Sequence, residues 1–265
     1  MYKWSEMRGF FSTELSGWGR DCAVAGVFLT RLPFPLIKDG DKKGRLAAAM
    51  RAFPFIGAIV GAIAGAALMI SAALGLHPLA CALIGLAVAA WITGGLHEDG
   101  LADVADGLGG GATVDKKLKI MRDSRIGAFG VLVVVFSVGI RAAALGGVPG
   151  PGLAAAALVA AAALSRGLLP MTMHVLQPVR KSGLAARAGT PDGEGWGKAW
   201  LLGALIGFLV LGPWGGLLAL LAGVAAAWFV AWLCHAQIGG YTGDTLGAQQ
   251  QAAETAILIA AAVVL

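Results

Sequence analysis

Charged side chains are scarce in this chain: Asp, Glu, Lys and Arg make up 13 % of its residues, whereas hydrophobic residues make up 58 %. Several apolar segments approach the roughly 20 residues that a bilayer crossing requires, so the composition predicts an integral membrane protein. The formal net charge is only +5. Loops that follow the positive-inside rule account for such an excess, so no nucleic-acid partner is expected. No small-residue cleavage site follows the amphipathic N-terminus, and we expect no removable signal peptide.

Several catalytic classes have no motif in this sequence. Cys22, Cys81 and Cys234 lie in or beside apolar segments without the paired spacing of a metal site, and they are predicted to be buried free thiols. The glycines after Asp106 are not followed by Gly-Lys-Ser/Thr, so they do not form a P-loop. Nothing resembles a Ser–His–Asp triad or a cysteine nucleophile site.

The apolar segments predict a single membrane-embedded domain over residues 1–265, an all-α polytopic fold with about seven transmembrane helices, between six and eight. The 212–215 region is expected to form a tight helical hairpin or a re-entrant element. Residues 22–37 contain Arg31, Pro33 and Pro35 and therefore predict an interfacial or re-entrant helix. The apolar segments run over 52–74, 79–96, 126–147, 152–173, 199–212, 215–236 and 245–265.

Charge is distributed very unevenly among the connections. The connections at 38–51, 97–125 and 174–198 hold 14 of the 20 Lys and Arg residues, whereas the short turns between the other segment ends hold none. The positive-inside rule therefore predicts that 1–51, 97–125 and 174–198 are cytoplasmic. The chain is then expected in the inner membrane of a prokaryote, with its active site facing the cytoplasm.

The acidic stretch at 97–107 is the most informative motif. Four carboxylates fall within nine residues, and in a helix Asp99, Asp103 and Asp106 would share one face. Like charges at this spacing destabilise a bare helix, and clustered oxygen ligands suit Mg²⁺ bound to phosphate. The alternative is a hydrated acidic face. The adjoining His97 is a candidate general base, or a candidate hydrogen-bond donor to phosphate.

Two further polar clusters flank apolar segments on the same side. Arg122 and Arg125, which flank Asp123 and Ser124, stand one turn apart and could bind phosphate oxygens. The glycine-rich cluster at 239–248 would let backbone N–H groups at Thr242 and Gly243 approach an anion, and Asp244 offers another hard-metal ligand.

Two arginines lie inside apolar segments. A charge at bilayer depth is costly, so Arg141 and Arg166 each need a function or a buried partner. Arg166 is a candidate for phosphate contact, with a structural ion pair as the alternative. The clusters together favour phosphoryl chemistry, in which carboxylate-bound metal and arginines hold a diphosphate while a hydroxyl attacks.

Three motifs resemble the signature of the cobalamin synthase (adenosylcobinamide-GDP ribazoletransferase) family. They occur in the family's order and span nearly the whole chain, with lesser matches at 31–35, 53–57 and 165–167. The motifs are TGGLH at 93–97 leading into the aspartates at 99, 103 and 106, MRDSR at 121–125, and TGDTLGA at 242–248.

This resemblance implies a Mg²⁺-dependent membrane phosphotransferase. Its substrates would be adenosylcobinamide-GDP and α-ribazole or α-ribazole 5′-phosphate, and its products adenosylcobalamin or its 5′-phosphate and GMP. Asp99, Asp103, Asp106 and Asp244 would hold Mg²⁺, and His97 or an aspartate would accept the hydroxyl proton. Whether copies associate with one another, or with other corrinoid-pathway enzymes, is left open, as is the role of Glu98.

Two other classes share part of this pattern. Asp103 to Gly107 matches the opening of the CDP-alcohol phosphotransferase motif, but the Ala-Arg that follows this glycine after two residues in that family is absent here. A cation-coupled transporter could use the acidic cluster as an ion site. Its ion path should reach both faces, whereas the turns on the far face carry no charge.

Overall fold

The computed structural model describes residues 17–37, 44–180 and 183–265, and only the backbone of residue 184. Regular structure within these ranges is helical apart from one isolated bridge. The helices are α1 (17–29), α2 (Arg45–Ala49), a 3₁₀ turn (Met50–Ala52), α3 (Phe53–Ala73), α4 (Pro78–Thr93), α5 (Leu96–Gly110), α6 (Val114–Ile120), α7 (Ala128–Gly147), α8 (Pro151–Val175), α9 (Leu184–Ala188), α10 (Gly193–Ile238) and α11 (Gly243–Val264).

The prediction of an all-helical membrane fold is confirmed, whereas the count of seven crossings stays a prediction. Among the described residues, four helical segments are long and apolar enough to cross a bilayer: Arg45–Ala73, α7, α8 and α10. The pair α4 and α5, bent by 91°, would make a fifth. Each predicted apolar segment coincides with helix, but α4 is short and the first half of α11 is polar.

Helix α10 reverses direction at Gly212, where φ is 73° and ψ is 176°. A methyl group added to Gly216 would lie 2.7 Å from the Cα atom of Phe208. Eight residues apart in a continuous helix, these positions would be separated by about 12 Å. The two limbs of α10 therefore fold back on each other, and the predicted tight hairpin at 212–215 is confirmed.

The N-terminal helix α1 packs into the protein, with Ala25 and Leu29 buried. Its Asp21 carboxylate is buried and accepts hydrogen bonds from Arg45 and from Arg51, whose Nε lies 2.6 Å from Oδ2. These contacts attach α1 to the chain just before α3. Helix α1 ends at residue 29, so the predicted 22–37 helix is shorter than expected, and residues 1–16 and 38–43 of the predicted 1–51 segment lie outside the described residues.

Helix α8 lies at the centre of the bundle and contacts α3, α10 and α11 extensively. Its middle is lined by small residues, and Ala157, Ala160, Ala161 and Ala163 are fully buried. Small side chains let helix backbones approach closely, which favours van der Waals packing in a bilayer. The alanine-rich sequence of α8 therefore explains why this helix occupies the core.

Two arginines of the bundle share one glutamate. Glu254 of α11 accepts a 2.9 Å hydrogen bond at Oε1 from Arg141 of α7, and its Oε2 lies 3.4 Å from Nη1 of Arg166 on α8. All three side chains are at most 7 % exposed. The buried partner that a membrane arginine requires is therefore Glu254.

The polar network extends from this triad to α5. Glu98 lies 3.8 Å from Arg141 and accepts a 3.1 Å hydrogen bond from Gln251. Gln250 donates to Glu254 and, at 3.0 Å, to the Ser165 hydroxyl. Two carboxylates thus face two guanidinium groups, and the network connects α5, α7, α8 and α11. Glu98, whose role the sequence left open, belongs to this network.

Replacing Glu254→Gln should strongly destabilise the protein, because two buried guanidinium groups would lose their shared carboxylate. The expected loss is about 3–5 kcal/mol in the free energy of unfolding. Thermal unfolding of the detergent-purified protein measures it. Thr255→Val, on the adjacent position of α11, is the control and should change stability little; an equally small effect of Glu254→Gln would contradict the network's importance.

Candidate active site

Two consecutive glycines turn the chain from α4 into α5. Gly94 and Gly95 have φ values of 67° and 70°, in the left-handed region that residues with side chains rarely adopt. The bend between the two helices is 91°. Helix α5, which carries the acidic stretch, therefore leaves the direction of α4 at a right angle and crosses the start of α11.

A second pair of glycines allows α5 and α11 to approach closely. A methyl group added to Gly100 would lie 2.7 Å from the carbonyl oxygen of Asp244 and 3.2 Å from the Cα atom of Gly247. One added to Gly247 would lie 3.2 Å from the carbonyl oxygen of His97. Gly100 has no room for a side chain, and at Gly247 one would fit only if the backbone of α5 moved by a few tenths of an ångström. This contact brings the aspartates of α5 beside Asp244.

The predicted helix through the acidic stretch is confirmed, and three of its aspartates act on one another electrostatically. Burial, followed by the negative charges of Asp99, Asp244 and Asp106, raises the pKa of Asp103 to about 7. Burial also raises the pKa of Asp244. Both residues lie outside the four helices that qualify as membrane spans. The site is therefore short of positive charge.

Arg180 pairs with one of these carboxylates, and the sequence analysis missed it. Its Nη1 donates to Oδ2 of Asp244 at 3.2 Å and its Nη2 donates to the Leu118 carbonyl at 3.1 Å, while its Nε is buried without a partner. It also lowers the pKa of Asp103. Backbone hydrogen bonds of Tyr241 with Gln177 and Val179 carry Arg180 to this place. In the sequence it was one more loop cation, with no local motif to distinguish it.

Asp106 caps the start of α7. Its Oδ2 accepts the Gly127 N–H at 2.7 Å and its Oδ1 accepts the Gly130 N–H at 2.9 Å. These N–H groups belong to the first turn of α7, where an anion is favoured by the helix dipole. This structural role was not foreseen from the sequence, and the metal-binding and catalytic roles of Asp106 stay predictions.

The arginines predicted to bind phosphate lie in two different environments. Arg125 donates to Asp123 at 2.7 Å, and the hydrogen bonds from Arg125 lower the pKa of the Asp123 carboxyl to about 2. Arg122, Ser124 and Arg125 are exposed, so their phosphate contact stays a prediction. Arg166, by contrast, is buried against Glu254, and the structure places it in the ion pair rather than at a phosphate site.

The other predicted residues begin α11 or line its surroundings. The Thr242 hydroxyl accepts the Thr245 N–H at 3.2 Å, and Thr245 accepts the Thr242 N–H at 2.8 Å, so the two form a capping box. Thr242 also donates to Asp244 at 3.2 Å. Gly243 is exposed beside it. His97 is buried, with its Nδ1 unpartnered.

Two cavities flank Asp99. One, of about 210 Å³, is mainly apolar, and its lining includes His97, Asp99 and Asp244. The other is a more open groove of about 700 Å³ with a mixed lining that includes Arg31 and Glu98. Asp99 lines both and is the ionisable side chain common to them. Two different ligands could therefore bind in these cavities and meet at the Asp99 carboxylate.

The predicted cage of Asp99, Asp103, Asp106 and Asp244 is not formed. No three acidic, histidine or cysteine side chains gather as a metal site anywhere in the part of the chain that the structure describes. Mg²⁺, however, commonly uses one or two carboxylates, completing its shell with water and substrate phosphates. Asp103 with its acidic neighbours provides hard oxygen donors and uncompensated negative charge, so the donor chemistry fits Mg²⁺ shared with a diphosphate.

The chain matches the family model described as cobalamin-5-phosphate synthase over residues 21–262. The matched range includes the turn at Gly94 and Gly95, the contact between Gly100 and Gly247, and all the polar clusters described above. The chain belongs to the cobalamin-5-phosphate synthase family.

Curated relatives of this family cover almost the full chain. A protein of Mesorhizobium japonicum is 47 % identical over 247 residues, which are 92 % of this chain and 93 % of the relative. Relatives from Bradyrhizobium diazoefficiens and Rhizobium etli are 45 % and 41 % identical, covering 91 % and 95 % of this chain and 93 % and 100 % of their own length. All three are named adenosylcobinamide-GDP ribazoletransferase. No solved structure matches this one.

Gly100→Ala should disrupt the site, because the added methyl group would force α5 away from α11. Catalytic turnover is expected to fall at least tenfold, although alanine is the better helix former by about 1 kcal/mol. The matched control is Gly139→Ala in α7, where a methyl group meets nothing within 4 Å. Equal activity of both variants would show that the close contact is dispensable.

Asp103→Asn and Asp106→Asn should shift stability in opposite directions. Because folding raises the pKa of Asp103 from 3.8 to about 7, its destabilising effect builds up as the pH rises through this window and is complete above pH 7. We expect Asp103→Asn to stabilise metal-free protein at pH 8 by about 1 kcal/mol, after discounting for partial exposure, or about 2–4 °C in Tm, with a smaller gain near pH 5.

Asp106→Asn should instead lower stability by about 1 kcal/mol at both pH values, since it weakens the cap of α7. Thermal melts in detergent with a chelator measure both variants. A gain in Tm for Asp106→Asn, or a loss for Asp103→Asn at pH 8, would reverse the roles assigned to these two aspartates.

Proposed function

We propose that this protein transfers the adenosylcobinamide-phosphate moiety of adenosylcobinamide-GDP to the 3′-hydroxyl of α-ribazole or α-ribazole 5′-phosphate. The products are adenosylcobalamin, or its 5′-phosphate, and GMP. The observation that carries this proposal is the similarity to ribazoletransferases at 41–47 % identity over more than nine-tenths of the chain. It favours this reaction over a CDP-alcohol phosphotransferase or a cation-coupled transporter.

The reaction exchanges one bond at phosphorus for another. The ribose 3′-oxygen forms a bond to the phosphorus that bears the cobinamide arm, the bond from that phosphorus to the bridging oxygen breaks, and GMP leaves with the bridging oxygen. The hydroxyl proton passes to a base on the protein. Positioning of the two substrates and stabilisation of phosphate charge are therefore the main tasks of the site.

Asp103, with Asp99 or Asp244 as a second carboxylate, would hold Mg²⁺ in this proposal, and water and substrate phosphates would complete its shell. Bound there, Mg²⁺ would neutralise charge on the diphosphate and on the departing GMP. Arg180 adds a guanidinium group that already contacts Asp244, with its Nε free for a further acceptor. We therefore assign the phosphate-stabilising role to Arg180 in place of Arg166. Arg122 and Arg125 are candidates for the outer phosphate oxygens.

Two groups are suited to accept the hydroxyl proton. Asp103 has a pKa of about 7, near the value that makes a general base efficient at neutral pH. His97 has an unpartnered Nδ1 beside the apolar cavity. A bound cation would lower the pKa of Asp103 and make it a ligand. Burial and the charges of Arg166 and Arg141 lower the pKa of His97, so its ring is neutral and can accept a proton, but it is a weak base.

The concentration of Lys and Arg in the connections at 97–125 and 174–198 supports a location in the cytoplasmic membrane with the site facing the cytoplasm. Both connections contribute directly to the site, since 97–125 contains the acidic helix and 174–198 contains Arg180. The water-soluble nucleotide substrates would reach the site from that side.

The test is GMP release by purified protein in detergent or liposomes, given adenosylcobinamide-GDP and α-ribazole with and without Mg²⁺. We expect metal-dependent GMP release with an equal amount of cobalamin formed. Asp103→Asn should reduce it at least a hundredfold, and Asp115→Asn, an exposed acidic position in α6, should not.

Mg²⁺ should also raise the Tm of the wild-type protein at pH 8 and not that of Asp103→Asn, which tests metal binding apart from activity. Absence of turnover in folded protein would refute the reaction. Full activity of Asp103→Asn would refute the metal site while leaving the reaction in place.

A further inference from the structure

The apolar cavity beside the aspartates has a lining that divides into two parts. Its wall is mostly hydrophobic and includes Phe28 of α1, Met50 of the 3₁₀ turn, Phe53 of α3, and Leu169 and Met173 of α8. Its ionisable lining residues, His97, Asp99 and Asp244, come from α5 and α11. A matching ligand has an apolar body and a polar group that meets these residues.

We propose that this cavity binds the benzimidazole base of the acceptor nucleoside, with the ribose at the acidic end. This assignment rests on the proposed reaction, whose acceptor α-ribazole is a ribosyl benzimidazole. The base is aromatic and apolar, like the lining beside Phe28 and Phe53, and the ribose hydroxyls would meet His97, Asp99 and Asp244. The 3′-hydroxyl is thereby directed towards the carboxylates.

The size of the cavity distinguishes the acceptor from the donor. At about 210 Å³ it is smaller than the roughly 300–1,000 Å³ typical of sites for drug-sized ligands. A corrin macrocycle with its side chains is far larger than this space, whereas a bicyclic heteroaromatic ring is not. The more open groove on the other side of Asp99, of about 700 Å³ and containing Arg31, is left for the donor.

The polarity of the lining also favours the acceptor over the donor as the ligand of this cavity. A buried guanine would need hydrogen-bond partners for its ring and exocyclic N–H groups and its carbonyl oxygen, and burying such groups unpaired costs about 1–3 kcal/mol each. The apolar wall formed by Phe53, Leu169 and Met173 provides no polar side-chain atom. The cavity therefore suits a base with few polar groups better than it suits the guanine of the donor.

His97 provides an independent indication of a ligand. Its side chain is 3 % exposed, lines the cavity, and leaves Nδ1 without a hydrogen-bond partner. A buried, unpaired ring nitrogen is unfavourable unless something else pairs with it. A hydroxyl of the bound ribose is such a partner, placed at the polar end of the cavity.

The test is to fill the cavity with a larger side chain on α9. Ala185 and Ala188 both line it, three residues apart on one face of α9, whereas the intervening Ala186 does not. Ala185→Phe would place a ring in the cavity, and Ala186→Phe is the matched control on the same helix. Binding of α-ribazole to detergent-purified protein without donor is measured by titration calorimetry, and KM for each substrate is measured in the GMP-release assay.

We expect Ala185→Phe to weaken α-ribazole binding and raise its KM at least tenfold, while the KM for adenosylcobinamide-GDP changes less than twofold. Ala186→Phe should alter neither. Leu46→Trp, which fills the cavity from α2, should reproduce the effect and covers the case in which Ala185→Phe does not fold.

A rise confined to the KM of adenosylcobinamide-GDP would assign the cavity to the donor, and unchanged α-ribazole binding in both filled variants would overturn the proposal. The binding measurement tests the cavity assignment, and the turnover measurement tests the proposed reaction. Wild-type protein that binds α-ribazole and loses it on Ala185→Phe, yet releases no GMP, would refute the proposed reaction and retain the cavity assignment.

Discussion

The shared ion pair of Glu254 with Arg141 and Arg166 is the interaction on which the rest of this structure depends. In an apolar bundle neither guanidinium group can remain unpaired, so α7, α8 and α11 must assemble around the carboxylate. The network reaches α5 through Glu98. The depth and rotation of the acidic helix are thereby coupled to the core, and the aspartates stand at the edge of this fixed scaffold.

The site itself carries an excess of negative charge. Close contact through Gly100 and Gly247 gathers carboxylates that repel one another, and Arg180 compensates only part of their charge. A metal ion with a diphosphate would supply what the protein lacks. The cost is a weaker fold in the empty state, which is the usual relation between a preorganised anionic site and stability.

Much of the architecture was predictable from sequence, because apolar length and charge position report directly on membrane helices. The right-angled turn at Gly94 and Gly95 was not, since two glycines alone do not specify a direction. The capping of α7 by Asp106 was not foreseen, because helical spacing cannot show that the N–H groups of Gly127 and Gly130 would bind both of its oxygens. Arg180 was missed because backbone pairing with Tyr241, a contact between distant segments, is what brings it to Asp244.

The order of these residues in the sequence has a consequence for how the protein is made. Arg141 and Arg166 emerge from the ribosome before their common carboxylate, Glu254, has been synthesised, and Glu98 is the acid of the network that precedes them. Until α11 follows, two guanidinium groups have one carboxylate between them instead of two. The charge balance of the core is therefore completed only when α11 docks.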